Sequence, residues 1–322
     1  MKIDKFLLAI IGVVLLAYLF PSWGSSSSPI PLNLIGSIGI SLIFFFYGLK
    51  LSPAQIKTGL SNWKLHILVQ LSTFLVFPLI ILVFYPFVHS AQGQTVWLAF
   101  LFLAALPSTV SSSVVMVNIA KGNVPAAIFN ASISGLIGIV ITPLWMGLFM
   151  QHTTTDFNLS SIYIKLITEI LVPVALGVAL QPYWGKFARE YSSYLTSFDR
   201  SIILLIIYKS FAESFEKNVF SSVDVVDLLL ISVATTVLFY AVFFLTGFLS
   251  DRLGFSQEDR ITVQFCGSKK SLVHGTVFSK ILFQHLPSVG VMLLPLMIFH
   301  ALQLFIVSVI ASKLAKRDTI PT

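Results

Sequence analysis

Two adjacent lysines sit in this sequence with apolar residues before and after them. Lys269 and Lys270 belong to "FCGSKKSLVHG", residues 265–275. A lysine at a bilayer centre costs about 3 kcal/mol on insertion scales, so an intramembrane ammonium marks a candidate site. Gly267 and Ser268 permit irregular backbone just before the pair, and Ser271 adds a hydroxyl after it. A second polar interruption lies about half the chain earlier, in "LPSTVSSSVVMVNIAKGN", residues 106–123. Pro107 has no N–H to donate and disfavours helix before it. Ser108, Thr109, Ser111, Ser112 and Ser113 then supply hydroxyls. A helix broken inside a membrane exposes free N–H groups on one side of the break and free C=O groups on the other. The first can hold an anion, and the second suit a cation. Such backbone is tolerated only where protein buries it or a wet cavity lines it.

Each residue also has a plainer reading. Serines in membrane helices permit close packing or bond back to their own backbone. Lys270 could snorkel to a helix end. Adjacent residues on a regular helix point about 100° apart, so both lysines face one point only if the backbone is irregular. Lys269, nearer the break, is expected to take the central role. Asn130 and Ser134 share a face one helical turn apart. Gln70, Thr73, His274, His300 and Gln303 are further candidates at membrane depth. A lone histidine is as readily a hydrogen-bonded packing residue as a ligand.

The elements that must position these groups are membrane helices. Of 322 residues, 56% are hydrophobic and 10% charged, against roughly 25% charged in soluble domains. Mean hydropathy is +0.92. Ten apolar spans fall near 6–20, 33–48, 64–88, 95–120, 124–150, 161–181, 197–215, 224–249, 257–284 and 289–312, the first of them short for a bilayer crossing. The short alternating segments of a β-barrel are absent. The N-terminal run lacks a small-x-small cleavage site and reads as an uncleaved first span. The single cysteine, Cys266, excludes an internal disulfide and a thiolate metal cluster; no metal site is expected.

A formal charge of +7 reads as loop charge that fixes orientation, not as a nucleic-acid surface. Fourteen of the twenty basic residues fall on one side of the ten spans, which places both termini in the cytoplasm and the chain in the inner (plasma) membrane. Five spans per half is odd, so the second half must enter in the opposite sense. "LLAYLFP" ending at Pro21 has a loose echo in "LGVALQP" ending at Pro182. The expected architecture is an all-α membrane protein with two five-helix inverted repeats, residues 1–155 and 156–322, a plan common among secondary transporters.

The segments "ALPSTVSSSVVMVNIAKGNVPAAIFNASISG", "FCGSKKSLVHG" and "GLKLS" (residues 48–52) resemble the bile acid:sodium symporter family (solute carrier family ten), in its member-seven-like branch common in bacteria. The resemblance covers essentially the whole chain. It implies a panel of helices one, two, six and seven. It also implies a core of helices three to five and eight to ten, in which broken helices four and nine cross. Members move organic anions by alternating access. Several positions depart from the family pattern. Ser113 keeps the serine of a Ser-Asn pair, but Val114 replaces the asparagine. Hydroxyls early on helix five fall on Ala127 and Ala131, beside Asn130. The ninth-helix acidic residue falls on Phe265, and the following glutamine on Lys269. A hard cation needs several oxygens, and most are missing, so a fixed ammonium is expected to replace a sodium ion at the crossing.

The resulting expectation is a secondary transporter of a small organic anion in a lipid bilayer, with no cofactor. Its coupling ion would be a proton, or it would work as a uniporter. The alternatives are a sodium-coupled symporter with altered sites, a channel, or a non-transporting regulatory membrane protein. "GSKKS" also invites a Ser-Lys nucleophile, but no oxyanion arrangement accompanies it, so an enzyme is not expected. Substrate and oligomeric state are left open.

Overall fold

The computed structural model describes residues 5–25, 28–51, 62–109, 111–150, 159–218, 224–283 and 289–316. Among them every regular element is a helix. Helix α1 spans Lys5–Leu19 and, after a single turn at Pro21–Gly24, α2 spans Leu32–Lys50. Helix α3 runs Trp63–Leu71, loosens into a π turn at Ser72–Val76 and ends as Phe77–Leu82. Next come α4 (Ala91–Ala105), α5 (Ser111–Ile119) and α6 (Val124–Met150). Helix α7 runs Leu159–Leu166, passes a second π turn at Ile167–Leu171 and continues as Val172–Glu190. Helices α8 (Ser192–Glu216), α9 (Val225–Arg252), α10 (Gln257–Gly267), α11 (Leu272–Leu282) and α12 (Val289–Ala315) complete the chain.

Six of these, α2, α3, α6, α7, α9 and α12, are long and apolar enough to cross a membrane. Counting ten spans requires α1, α8 and the interrupted pairs α4–α5 and α10–α11 to cross as well. One difference from the expected boundaries has a physical cause. The sixth span was expected to stop near residue 181, yet α7 continues through Pro182 to Glu190, as membrane helices absorb a proline whose freed carbonyl finds another partner. The fourth and ninth spans are each interrupted where the sequence places the breaks, after Ala105 and after Gly267. The orientation argument at Lys2, Lys57 and Arg317 lies outside the described residues, as does Ser52 of "GLKLS".

Contacts divide the chain into two compact units. One gathers residues from 1–52, 147–225 and 275–294; the other gathers those from 53–146, 226–274 and 295–322. In the first unit, α2 and α7 approach backbone to backbone at Gly48 and Gly177. A Cβ on Gly177 would run into the carbonyl of Phe45, and one on Gly48 into that of Val174. Small residues allow such contact where lipid gives helices no hydrophobic drive to associate. Gly177→Val is therefore expected to destabilise the protein by about 3 kcal/mol, seen as a lower melting temperature in detergent. Gly12→Ala, whose Cβ would meet nothing within 4 Å, is the control and should leave it unchanged. The surface carries many large apolar side chains, with Trp23, Tyr183 and Tyr194 each at least 65% exposed, as aromatic rings at a membrane interface are.

In the second unit, α4 starts from Ser90, whose hydroxyl accepts the Gly93 N–H at 3.0 Å, and α10 from Ser256, which accepts the Asp259 N–H at 3.2 Å. Glu258 and Asp259 in the first turn of α10 complement its positive end. Both helices then stop deep in the protein, at residues whose side chains and carbonyls form the candidate site.

Candidate functional site at the two helix breaks

Helix α4 ends because Leu106 precedes a proline and adopts an extended conformation (φ −72°, ψ 151°). The break frees a run of carbonyls, and each has an identifiable partner, as buried backbone must. The Ala105 oxygen accepts the Thr142 hydroxyl of α6 at 2.7 Å. The Pro107 oxygen accepts the Ser271 N–H at 2.9 Å, a direct backbone link between the two breaks. The Ser108 hydroxyl donates to the Cys266 carbonyl at 2.5 Å, and the Ser108 N–H donates to the Ser134 hydroxyl at 3.0 Å. Gly138 lets α6 come this close, since a Cβ there would lie 2.9 Å from the Pro107 ring.

The carbonyls of Ala104 and Leu106 remain, and Lys270 takes both, its Nζ at 2.6 and 2.8 Å. A third carbonyl, of Thr73, lies 2.6 Å from the same nitrogen. The π turn in α3 makes it available: Phe77 N–H bonds back to Ser72 instead of Thr73, the register of an i→i+5 turn. The Phe77 ring caps the ammonium at 4.1 Å, a cation–π contact. Lys270 is fully buried, with the three carbonyls and one aromatic face accounting for its charge.

The ninth-span break is held from α12. Gln303 brackets Lys270, accepting its N–H at 2.9 Å and donating to its carbonyl at 2.8 Å. His300 Nδ1 is 3.0 Å from the Gln303 amide nitrogen. Ser268 closes α10 by donating to the Gln264 carbonyl at 2.6 Å. Gly267 packs close to α3, where a Cβ would stand 3.3 Å from that of Ser72. Ser271 accepts the His274 N–H at 3.3 Å at the start of α11, and its hydroxyl meets His274 Nδ1 at 3.0 Å.

The two lysines diverge because residues 268–271 are not helical. Lys269 was expected to stand in the cation's place, but the ammonium lying on carbonyls is that of Lys270. Lys269 is also fully buried, and among the described residues its ammonium makes one hydrogen bond, to Ser112 at 2.8 Å. Ser112 donates to Thr109 at 3.0 Å, and Thr109 pairs with Ser113 at 2.7 Å. Lys269 thus ends on a chain of hydroxyls from the start of α5, which are polar groups without charge. The side chain of Ser111 lies outside the described residues.

Gln70 and Asn130 form a separate polar group. Gln70 donates to Asn130 at 3.1 Å, and Asn130 meets His66 Nδ1 at 2.9 Å. No sequence signal singled out His66 or Thr142; each is an ordinary residue on an apolar helix and acquires a partner only through tertiary packing.

The geometry is that of two interrupted membrane helices linked through their breaks, a plan used by secondary carriers. The SBF-like CPA transporter family matches residues 4–316, and the chain belongs to it. It is 37% identical over 317 residues to a putative symporter, YfeH, of Escherichia coli, covering 98% of this chain and 94% of that one. An uncharacterized protein of Pseudomonas aeruginosa is 39% identical, covering 98% and 93%. Sodium/bile acid cotransporter 7 of Xenopus tropicalis is 31% identical, covering 95% and 90%. The chain is accordingly a multi-pass membrane protein of a transporter family, whose relatives here are named as a symporter and a cotransporter and not as enzymes. The Ser-Lys nucleophile considered for "GSKKS" is set aside.

Proposed function

We propose that the protein is a secondary transporter of a small organic anion, working by alternating access, in which the lysine ammonium at the crossed breaks does the electrostatic work of a bound sodium ion. The observation that carries this reading is Lys270 on three carbonyls. A hard cation takes several oxygen ligands, and here three backbone oxygens at 2.6, 2.6 and 2.8 Å surround a nitrogen that never leaves. Sodium appears in the name of the Xenopus relative; in this chain a fixed charge is the corresponding element. Lys269, whose one hydrogen-bond partner among the described residues is a neutral hydroxyl, is the ammonium left to meet the substrate's negative charge. Ten spans in two inverted repeats belong to this reading; a unit that gathers spans one, two, six and seven with residues 275–294 supports its panel and core, and the loop charge supports cytoplasmic termini in the inner membrane.

The test is counterflow in proteoliposomes loaded with candidate organic anions. Flux that saturates, is unchanged when choline replaces sodium and responds to an imposed pH gradient is the expected result for proton coupling; flux indifferent to both gradients identifies a uniporter. A strict sodium requirement would return the protein to sodium symport, and absence of any saturable flux would favour a non-transporting role.

A further inference from the structure

The first unit contains a cavity of about 450 Å³ that the crossed breaks do not involve. Its lining mixes apolar side chains such as Leu205 and Phe283 with Lys165, Lys209, Lys280, Glu169 and Glu213. Ionisable groups within membrane helices are costly, and a cluster of them around one cavity marks a candidate site.

The two glutamates differ in how far they are satisfied. Glu213 is held on both oxygens, by Lys209 at 3.4 Å and Lys217 at 2.8 Å. Glu169 accepts the Ser37 hydroxyl on Oε1 at 3.2 Å, and Ser37 in turn accepts from Lys280 at 2.6 Å. Lys280 also donates to the Asn33 carbonyl at 3.0 Å. The other oxygen of Glu169, Oε2, is buried and has no hydrogen-bond partner among the described residues. Leaving a buried acceptor unmade is costly, and a buried polar group with no partner calls for an explanation. Glu169 sits in the middle of the π turn at Ile167–Leu171, a local feature that recurs at functional sites. Three lysines against two glutamates leave the lining net positive, and Lys217 adds a further charge beside Glu213.

We propose that this cavity binds an organic oxyanion that also carries a hydroxyl group. The oxyanion would face the lysines, and the hydroxyl would donate to Glu169 Oε2. A free hydroxylated phosphate and the headgroup of phosphatidylglycerol share this chemistry. The inference concerns binding alone and does not depend on the transport reading.

Thiol labelling tests it. Cys266, the only cysteine, is 1% exposed, so Leu205→Cys introduces one reactive thiol into the cavity. Relative to their rates with 2-mercaptoethanol, the anionic sulfonatoethyl methanethiosulfonate should react about tenfold faster than the cationic trimethylammonioethyl reagent, because a charged cleft raises the local concentration of opposite charge. Equal rates, or a cationic preference, overturn the proposal.

In phosphatidylcholine nanodiscs, glycerol 3-phosphate should slow labelling at about one-tenth the concentration at which sulfate does, the margin of one hydrogen bond to a buried carboxylate. Glu169→Gln should shrink that margin severalfold. In nanodiscs of phosphatidylglycerol with nothing added, slowed labelling identifies the lipid headgroup as occupant. Equal protection by sulfate, or no protection by either glycerol 3-phosphate or phosphatidylglycerol, overturns the proposal. Should Leu205→Cys fail to fold, the unaltered protein serves: glycerol 3-phosphate must raise its melting temperature where equimolar sulfate and glycerol do not, and failure there is equally fatal.

Discussion

Lys270→Ala is expected to lower the melting temperature of the purified protein by more than about 10 °C and to reduce its yield in the membrane. The substitution strips the donor from three buried carbonyls at once, those of Thr73, Ala104 and Leu106. Each orphaned acceptor costs about 1–3 kcal/mol, so the sum approaches the 5–15 kcal/mol by which folded proteins are stable. Among the described residues the neighbouring donors are already committed: Thr142 to Ala105, Ser271 N–H to Pro107 and Ser108 to Cys266. The emptied position should accept a small cation. Methylammonium at high concentration is expected to recover part of the lost stability, with tetramethylammonium, which has no N–H, recovering none. Sodium rescue would be the more informative result, because it would show that the three oxygens still form a metal site once the fixed ammonium is gone. A Lys270→Ala protein with wild-type stability in plain buffer would mean that the carbonyls find other partners and that the ammonium is dispensable to the fold.

The sequence made the breaks readable and left their closure invisible. Pro107 and the pair Gly267–Ser268 mark where α4 and α10 stop, because a missing N–H and a missing Cβ weaken a helix locally, although packing carries α7 straight through Pro182. The adjacent lysines announced a site for the same reason, since burial of an ammonium is costly wherever it occurs. What could not be read was the division of labour between them. That depends on the π turn at Ser72–Val76, which has no compositional signature. It frees the Thr73 carbonyl only through a one-residue shift of the Phe77 hydrogen bond. Trp145, which donates to the Phe74 carbonyl at 2.8 Å, fills the vacancy that Pro78 creates four residues on, a pairing between distant parts of the chain that no local pattern carries. Gln303 was among the weaker candidates because a glutamine on an apolar helix looks like any buried amide; its importance comes from bracketing both backbone groups of Lys270. The cavity residues Ser37, Glu169 and Lys280 are scattered across three helices and come together only in the folded unit.

Lys269→Gln should behave in the opposite way, and the contrast between neighbours is the sharper test of the transport reading. Its side chain gives up one hydrogen bond, to Ser112 at 2.8 Å, and orphans no carbonyl. Glutamine can still donate to that hydroxyl, so the protein should fold, purify and melt close to the wild type. Flux should nevertheless fall about 100-fold, the loss expected when a charge-assisted hydrogen bond to an anion worth up to 3 kcal/mol disappears. Lys269→Arg keeps the charge and should retain a measurable fraction of the flux, which a purely structural role for Lys269 would not predict. Ser112→Ala should have a smaller effect, because Thr109 and Ser113 still form the rest of the hydroxyl chain at 2.7 Å. If Lys269→Gln carries organic anions at the wild-type rate at every pH tested, the Lys269 ammonium is not the substrate's counter-charge, and the positive group that attracts the anion must be sought elsewhere in the protein.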